Sequence, residues 1–141
     1  MKYDVVKKAI EEFFIANWTM TPSNSIQFDN VAFNSDLFNE YVQLTVKFGD
    51  SAKRSIASKC YRQFGLVIVT VKTKPNQGSD RKLKLARAVS EMLASVRVPV
   101  VPDPLVPTVN LRDPDLFDST EARDGFVMAQ VSCPFYYDLE Y

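Results

Sequence analysis

The sequence contains no histidine and only four glycines among its 141 residues. The missing histidine removes the usual general base, the usual partner of a nucleophilic serine or cysteine, and the commonest zinc ligand. With so few glycines, the chain also lacks the glycine-rich loops that hold phosphates and the Gly-x-Ser-x-Gly turn of many hydrolases. We therefore expect no enzyme activity and no cofactor, and we predict no catalytic, cofactor-binding or metal-binding residues.

Neither sign of charge is in excess, because 17 basic residues balance 17 acidic residues. A neutral chain has no overall field to hold nucleic acid or an anionic membrane, so we expect neither as a specific partner. The most apolar run, Leu66 to Val71, is far shorter than the roughly 20 residues that cross a bilayer as a helix. Cys60 and Cys133 are expected to be reduced. The length and the hydrophobic fraction of 46% suit a single domain over residues 1–141.

An acidic segment from Arg112 to Asp124 has a superficial likeness to a calcium-binding loop. A loop of that kind starting at Asp113 needs a glycine where Asp118 stands and a bidentate glutamate where Asp124 stands. The segment fails at both positions. We therefore predict an acidic loop that faces solvent or a partner.

Two segments have the apolar spacing of amphipathic helices. The first runs from about Tyr3 to Asn17, and the second runs from Ser79 or Asp80 to about Ser95. Apolar side chains recur every three or four residues in both, while charged residues lie on the other faces. These apolar positions are Val6, Ile10, Phe13 and Phe14, then Leu85, Val89, Met92, Leu93 and Val96. We predict that both stripes belong to the core.

Three segments have the pattern of β-strands, and two shorter ones are expected to be extended. The three are Glu40 to Phe48, Phe64 to Thr73 and the segment that begins near Gly125. The first and third alternate apolar and polar residues, which is typical of a strand with one wet face. The second is apolar on both faces until Lys72, which predicts a central strand covered on both sides. The shorter segments are Ile26 to Phe28 and Thr108 to Leu111.

Two connections between these elements stand out. Gly49-Asp50 predicts a turn after the first strand, and an extended basic arm from Ala52 to Arg62 follows it. After the second helix, four prolines between Pro99 and Pro107 favour an extended strap that cannot be a central strand, since each proline lacks a ladder donor.

Three stretches, in this order, resemble the tail-terminator, or tail-completion, proteins of long-tailed bacteriophages. The first contains an Asn-Val-x-Phe element, the second is the strand after it, and the third has the spacing Arg-x-x-Gly-x-x-x-Val-x-Val. They are Ile26-Gln27-Phe28-Asp29-Asn30-Val31-Ala32-Phe33, Tyr41-Val42-Gln43-Leu44-Thr45-Val46 and Arg62-Gln63-Phe64-Gly65-Leu66-Val67-Ile68-Val69-Thr70-Val71. The glycine turn at Gly78, a helix and a long final strand follow, so the resemblance spans nearly the whole chain.

The resemblance implies an α/β (α+β) fold with two main helices on a twisted, mainly antiparallel sheet of about four strands, plus the arm and the strap. It also implies a structural virion protein of the tail and neck, assembled in the host cytoplasm as a hexameric ring. Such a ring caps the head-proximal end of the tail tube, stops tube polymerisation and offers a joining surface for the head. The implied partners are further copies of itself, the tube protein, a head-completion or neck protein and, in a contractile tail, the sheath.

Opposite charges on two segments suggest how neighbouring copies could contact each other. Our hypothesis pairs the basic arm with the acidic segment, because complementary charges steer the register of an interface. The residues are Arg54, Lys59 and Arg62 on one side and Asp113, Asp115, Phe117 and Asp118 on the other. Two alternatives stay open: another head-tail joining or tail tube protein, and a small ligand-binding or enzymatic α/β domain.

Overall fold

The computed structural model describes residues 3–29, 31–53, 60–75, 79–100, 108–123 and 125–140. Helix α1 spans Tyr3–Asn17 and helix α2 spans Ser79–Leu93, close to the predicted bounds. An aspartate lies in the first turn of each helix, Asp4 and Asp80, where a negative charge stabilises the free backbone donors. Within the described ranges, no helix is long and apolar enough to cross a membrane.

In the described part of the chain, seven strands form one sheet. They are β1 Ile26–Phe28, β2 Glu40–Lys53, β3 Cys60–Thr73, β4 Arg97–Pro99, β5 Thr108–Leu111, β6 Asp115–Arg123 and β7 Phe126–Glu140. The order is β1-β2-β3-β7-β5-β4, and β6 also pairs with β7. Only β1 and β2 are parallel among these pairs. The α+β class and the mainly antiparallel pairing are thus confirmed, but four strands were too few.

Both helices pack on the same face of the sheet, where alternate strand residues point inward. The buried cluster includes Val6, Ile10 and Phe14 of α1, Leu85, Val89 and Leu93 of α2, Val42 and Leu44 of β2, Val67, Val69 and Val71 of β3, and Ala129, Val131, Cys133 and Phe135 of β7. Each large apolar side chain buried in this way contributes about 1.5–3 kcal/mol. The inward positions predicted from alternation in β2 and β7 are therefore largely confirmed.

The opposite face of the sheet, called here the helix-free face, corrects one prediction about β3. β3 is central, since β2 and β7 flank it, but it is not covered on both sides. Leu66, Ile68 and Thr70 on the helix-free face are only half-buried. The physical reason is that both described helices lie on the other side of the sheet. The apolar residues of β3 that face the helices are therefore buried, whereas those on the helix-free face are only partly buried.

An aromatic cluster covers one end of the helix-free face. Tyr41 of β2 lies edge-on to Phe126 of β7, with ring centroids 5.1 Å apart, and both side chains are buried. Phe33, from the segment after β1, packs on Tyr41 at 5.0 Å and on Phe38 at 5.3 Å. The segment around residues 33–38 therefore shields this end of the face.

The turn predicted at Gly49-Asp50 is wrong, because β2 continues through both residues to Lys53. The ladder between β2 and β3 shifts register between Phe48 and Ser51, as at a β-bulge. The buried side chain of Gln63 stabilises the bulge by donating from Nε2 to the carbonyl of Gly49 at 2.7 Å.

The described parts of the predicted basic arm belong to β2 and β3. Ala52 pairs with Arg62 and Lys53 pairs with Tyr61, so the two strands stay in register as far as the structure describes them. Residues 54–59 lie outside the described ranges.

The acidic loop predicted between Arg112 and Asp124 is also wrong, because most of it is strand β6. β5 and β6 lie one after the other along the same edge of β7, both antiparallel to it. Between them the backbone N–H of Arg112 donates to the carbonyl of Pro134 at 2.8 Å, which continues the ladder. Residues 108–123 thus form one long, interrupted partner strand for β7. Of the predicted strap, Pro99 ends β4, and residues 101–107 lie outside the described ranges.

Candidate assembly surface

The predicted basic interface residues are only partly described. Arg54 and Lys59 lie outside the described residues. Arg62 faces Asp138 across the β3–β7 ladder and donates to it from Nε at 2.9 Å and from Nη2 at 3.2 Å. Its guanidinium carbon also lies 4.2 Å from the ring centre of Tyr136. Arg62 therefore has partners within its own chain, which the sequence analysis missed.

The four predicted residues of the acidic segment divide into two that make side-chain contacts within the chain and two that point outward. Asp118 forms an ion pair with Lys82 of α2, with 2.6 Å between Oδ1 and Nζ, and Lys82 is buried. Asp113 accepts a hydrogen bond from the hydroxyl of Ser95 at 3.1 Å. Asp115 is exposed, and the side chain of Phe117 is 66% exposed. Of the described basic and acidic interface residues, Arg62 and Asp113 line the same cleft.

Strand β6 forms an open edge of the sheet. It pairs with β7 on one side, and within the described ranges no strand pairs with its other side. Leu116 and Phe117 on this edge are 50% and 66% exposed. An exposed edge that also presents large apolar side chains is a ready site for contact with another chain.

Asp115 and Phe117 lie at the ends of two rows of side chains that cross the helix-free face. The ladder registers place Phe117 in line with Gln130, Thr70 and Gln43, and Asp115 in line with Ser132, Ile68 and Thr45. Four adjacent strands therefore contribute to one continuous surface, of which Asp115 and Phe117 form the rim. We call these two residues the edge patch.

A cleft of about 340 Å³ opens at the other end of the helix-free face. Three arginines line it, Arg62, Arg97 and Arg112, and we call it the arginine cleft. The register places Arg97 of β4 in line with Asn110 of β5 and Tyr136 of β7, so the walls come from several strands. Linear spacing gives no signal for this cluster, because its arginines come from three separate elements.

Cys133 lies in the core behind this cleft. Burial raises the pKa of the Cys133 thiol to about 11, and the thiol donates a hydrogen bond to the carbonyl of Arg112 at 3.1 Å. The thiol is therefore protonated at neutral pH and acts as a small buried side chain.

The fold and this surface define a small α+β protein with an open sheet edge and a sheet face free of helices in the described chain. The sequence matches the family model described as phage tail terminator protein over residues 5–98. The chain belongs to the phage tail terminator family, as the resemblance predicted. It is therefore a structural component of a phage tail that associates with other tail components. The matched range ends before β5, so the edge patch lies outside it.

A solved structure supports the fold independently. Its chain aligns with this one with a TM-score of 0.70 and 18% sequence identity. The alignment covers 100% of this chain and 98% of the other. At that identity the likeness shows the fold alone. No curated protein matches the sequence.

Proposed function

We propose that this protein is a ring-forming tail terminator that caps the head-proximal end of the tail tube. In this role it stops tube polymerisation and provides the joining surface for the head or neck, without enzymatic chemistry. The observation that carries the proposal is the family match over residues 5–98. The proposed partners are copies of itself in a ring of six, the tube protein, a neck protein and, in a contractile tail, the sheath.

The proposed mechanism is control of a growing end by shape and charge. A tube end presents self-complementary surface, and a cap that binds it on one side while offering a different second side ends further addition. The open edge of β6 and the helix-free face support this role, because they provide contact surface that the monomer leaves exposed. No bond needs to be made or broken.

The experiment mixes the purified protein with polymerising tube subunits and measures tube length by electron microscopy. A terminator shortens the tubes and is found at one end of each. A tube subunit would instead be incorporated and extend them, and a neck protein would leave their length unchanged. Either of these outcomes would overturn capping and favour the corresponding alternative.

Within the ring, we propose that the basic arm, residues 52–62, faces the acidic segment of the neighbouring copy. In the sequence, Arg54 and Lys59 lie between β2 and β3, and Asp115 and Phe117 are the acidic-segment residues that point outward. Reversing Arg54 and Lys59 to glutamate should weaken ring formation, as measured by native mass spectrometry. An unchanged ring would remove the arm from the interface.

A further inference from the structure

The arginine cleft carries more positive charge than the described residues neutralise. Arg62 is paired with Asp138, whereas Arg97 and Arg112 are exposed and form no ion pair with any residue in the described ranges. Among the described residues, Asp113 is the one carboxylate that lines the cleft. Two guanidinium groups are therefore available for bidentate contacts with a carboxylate.

The walls of the cleft also suit an aromatic side chain. Tyr136 is half-buried beneath Arg62, and the buried Leu111 contributes to the lining. An incoming ring can stack against Tyr136 or beneath a guanidinium, as Arg62 already stacks on Tyr136. The ligand that fits is thus an acidic segment with an aromatic residue close to its carboxylate.

The edge patch has this composition. Asp115 and Phe117 are two residues apart on one strand, so their side chains leave the same face roughly 7 Å apart. Both are exposed, and neither side chain makes an ion pair, hydrogen bond or ring contact within the described ranges. The patch directly follows the interruption at residues 112–114, and Arg112 and Asp113 of that interruption line the cleft, so the two surfaces are neighbours along the chain.

We propose that the arginine cleft of one copy receives Asp115 and Phe117 of the next copy. The inference rests on the proposed ring and names the contact that joins its members. The carboxylate of Asp115 would meet Arg97 and Arg112, while Phe117 would pack against Tyr136. Because the two surfaces are different, each copy would offer its patch to one neighbour and its cleft to the other.

A nucleic-acid strand is a poorer occupant for the same cleft. Its phosphates would lie near the carboxylates of Asp113 and Asp138, and the chain as a whole has no net charge to attract a polyanion. A single carboxylate followed by an aromatic ring avoids most of that repulsion, because the ring and not a second anion faces the cleft wall.

The experiment is a charge exchange read out by native mass spectrometry and by sedimentation at several protein concentrations. The double variant Arg97→Glu/Arg112→Glu should weaken association at least about tenfold, and Asp115→Arg should do the same. The triple variant carrying all three changes should recover a large part of the loss, since the charges are again complementary. Phe117→Ala should weaken association while leaving its dependence on salt unchanged.

The matched control is Lys84→Glu/Arg87→Glu, which reverses two exposed charges of α2 away from the cleft and should leave association unchanged. Circular dichroism and thermal unfolding confirm that each variant is folded. A wild-type ring that resists all cleft and patch variants would overturn the contact and leave the ring in place. A wild type that stays monomeric, or a control that weakens association as much as the cleft variant, would also overturn the contact. A wild-type dimer with charge rescue would keep the contact and overturn the ring.

Discussion

Position 65 leaves no room for a side chain. A Cβ built on Gly65 would lie 2.6 Å from Cε1 of Phe135 and 2.7 Å from the carbonyl oxygen of Lys47. The Phe135 ring is buried and edge-on to Phe48, and the carbonyl belongs to the backbone of β2. We predict that Gly65→Ala lowers the free energy of unfolding by about 1–3 kcal/mol through overpacking, as measured by urea unfolding.

Gly49 supplies the control, since it lies in the neighbouring strand. A Cβ there would meet nothing closer than the carbonyl oxygen of Phe64 at 3.7 Å, which is an ordinary contact. Gly49→Ala should change the free energy of unfolding by no more than about 0.5 kcal/mol. Equal stability of the two variants would show that Phe135 and the β2 backbone yield easily.

The buried thiol of Cys133 makes stability depend on alkaline pH. Burial raises its pKa to about 11 from an ordinary value of 9.0, so the folded chain keeps a proton that the unfolded chain loses first. This stabilising contribution is complete below pH 9.0 and is lost as the pH rises towards about 11. The loss should be about 1–3 kcal/mol, and Cys133→Ala should lack it in urea unfolding followed across pH. Parallel pH profiles for the two proteins would contradict the prediction.

At this scale, the sequence predicts which side chains point inward but not which polar groups meet. Alternation predicted that every second residue of the last strand faces the core, as Ala129, Val131 and Cys133 do, because successive side chains of a strand point to opposite faces. The pairing of Arg62 with Asp138 joins residues 76 positions apart, which only the β3–β7 ladder brings together. For the same reason the arginine cleft could not be predicted.

Strand β6 shows why an element can escape sequence analysis. Its residues 115–118 are exposed on both faces, so no apolar alternation marks them, and Asp113-Pro114-Asp115 has the composition of a loop. What makes the segment a strand is its ladder with β7, which depends on distant sequence. At Gly49-Asp50 the opposite error occurred, because the bulge bonded by Gln63 absorbs residues that favour a turn.

The ion pair between Lys82 and Asp118 anchors β6 to helix α2. The side chain of Lys82 is 8% exposed and that of Asp118 is 41% exposed, so the pair is screened on one side only. Asp118→Ala removes this carboxylate from a buried ammonium group and should cost about 1–2 kcal/mol, less than for a fully buried pair. Compared with wild type, Asp118→Ala should speed hydrogen exchange at the β6 amides more than at the β3 amides.

The control for this anchor is Glu12→Ala, which breaks an ion pair with Lys8 between side chains 66% and 77% exposed. It should cost no more than about 0.5 kcal/mol and leave exchange in β6 unchanged. If Asp118→Ala behaves like this control, the ladder with β7 alone holds the edge strand in place.

For the whole molecule, the pattern of apolar and polar residues was enough to predict the fold class but not which face of the sheet the helices cover. Two amphipathic helices and several alternating segments specify an α+β protein. The count of strands was too low because β4 has only three residues, β6 has no pattern, and the short extended segments that became β1 and β5 were not counted as strands of the sheet. That both helices lie on one face follows from tertiary packing. An apolar strand such as β3 has the same sequence pattern whether helices cover one face of the sheet or both. The single domain over residues 1–141 stays a prediction.

Mixing two defective variants tests whether the copies join in one direction. The Arg97→Ala/Arg112→Ala chain keeps a working edge patch, and the Asp115→Ala chain keeps a working arginine cleft, while the joint between the two altered surfaces has no complementary charges. If one patch enters one cleft around a ring, a mixture can form a single sound joint and must stop at heterodimers. Native mass spectrometry of the mixture should therefore show pairs containing one copy of each variant, while wild type forms larger closed species. Rings reappearing in the mixture would mean that other contacts close the assembly, because no such ring could contain more than alternate sound joints.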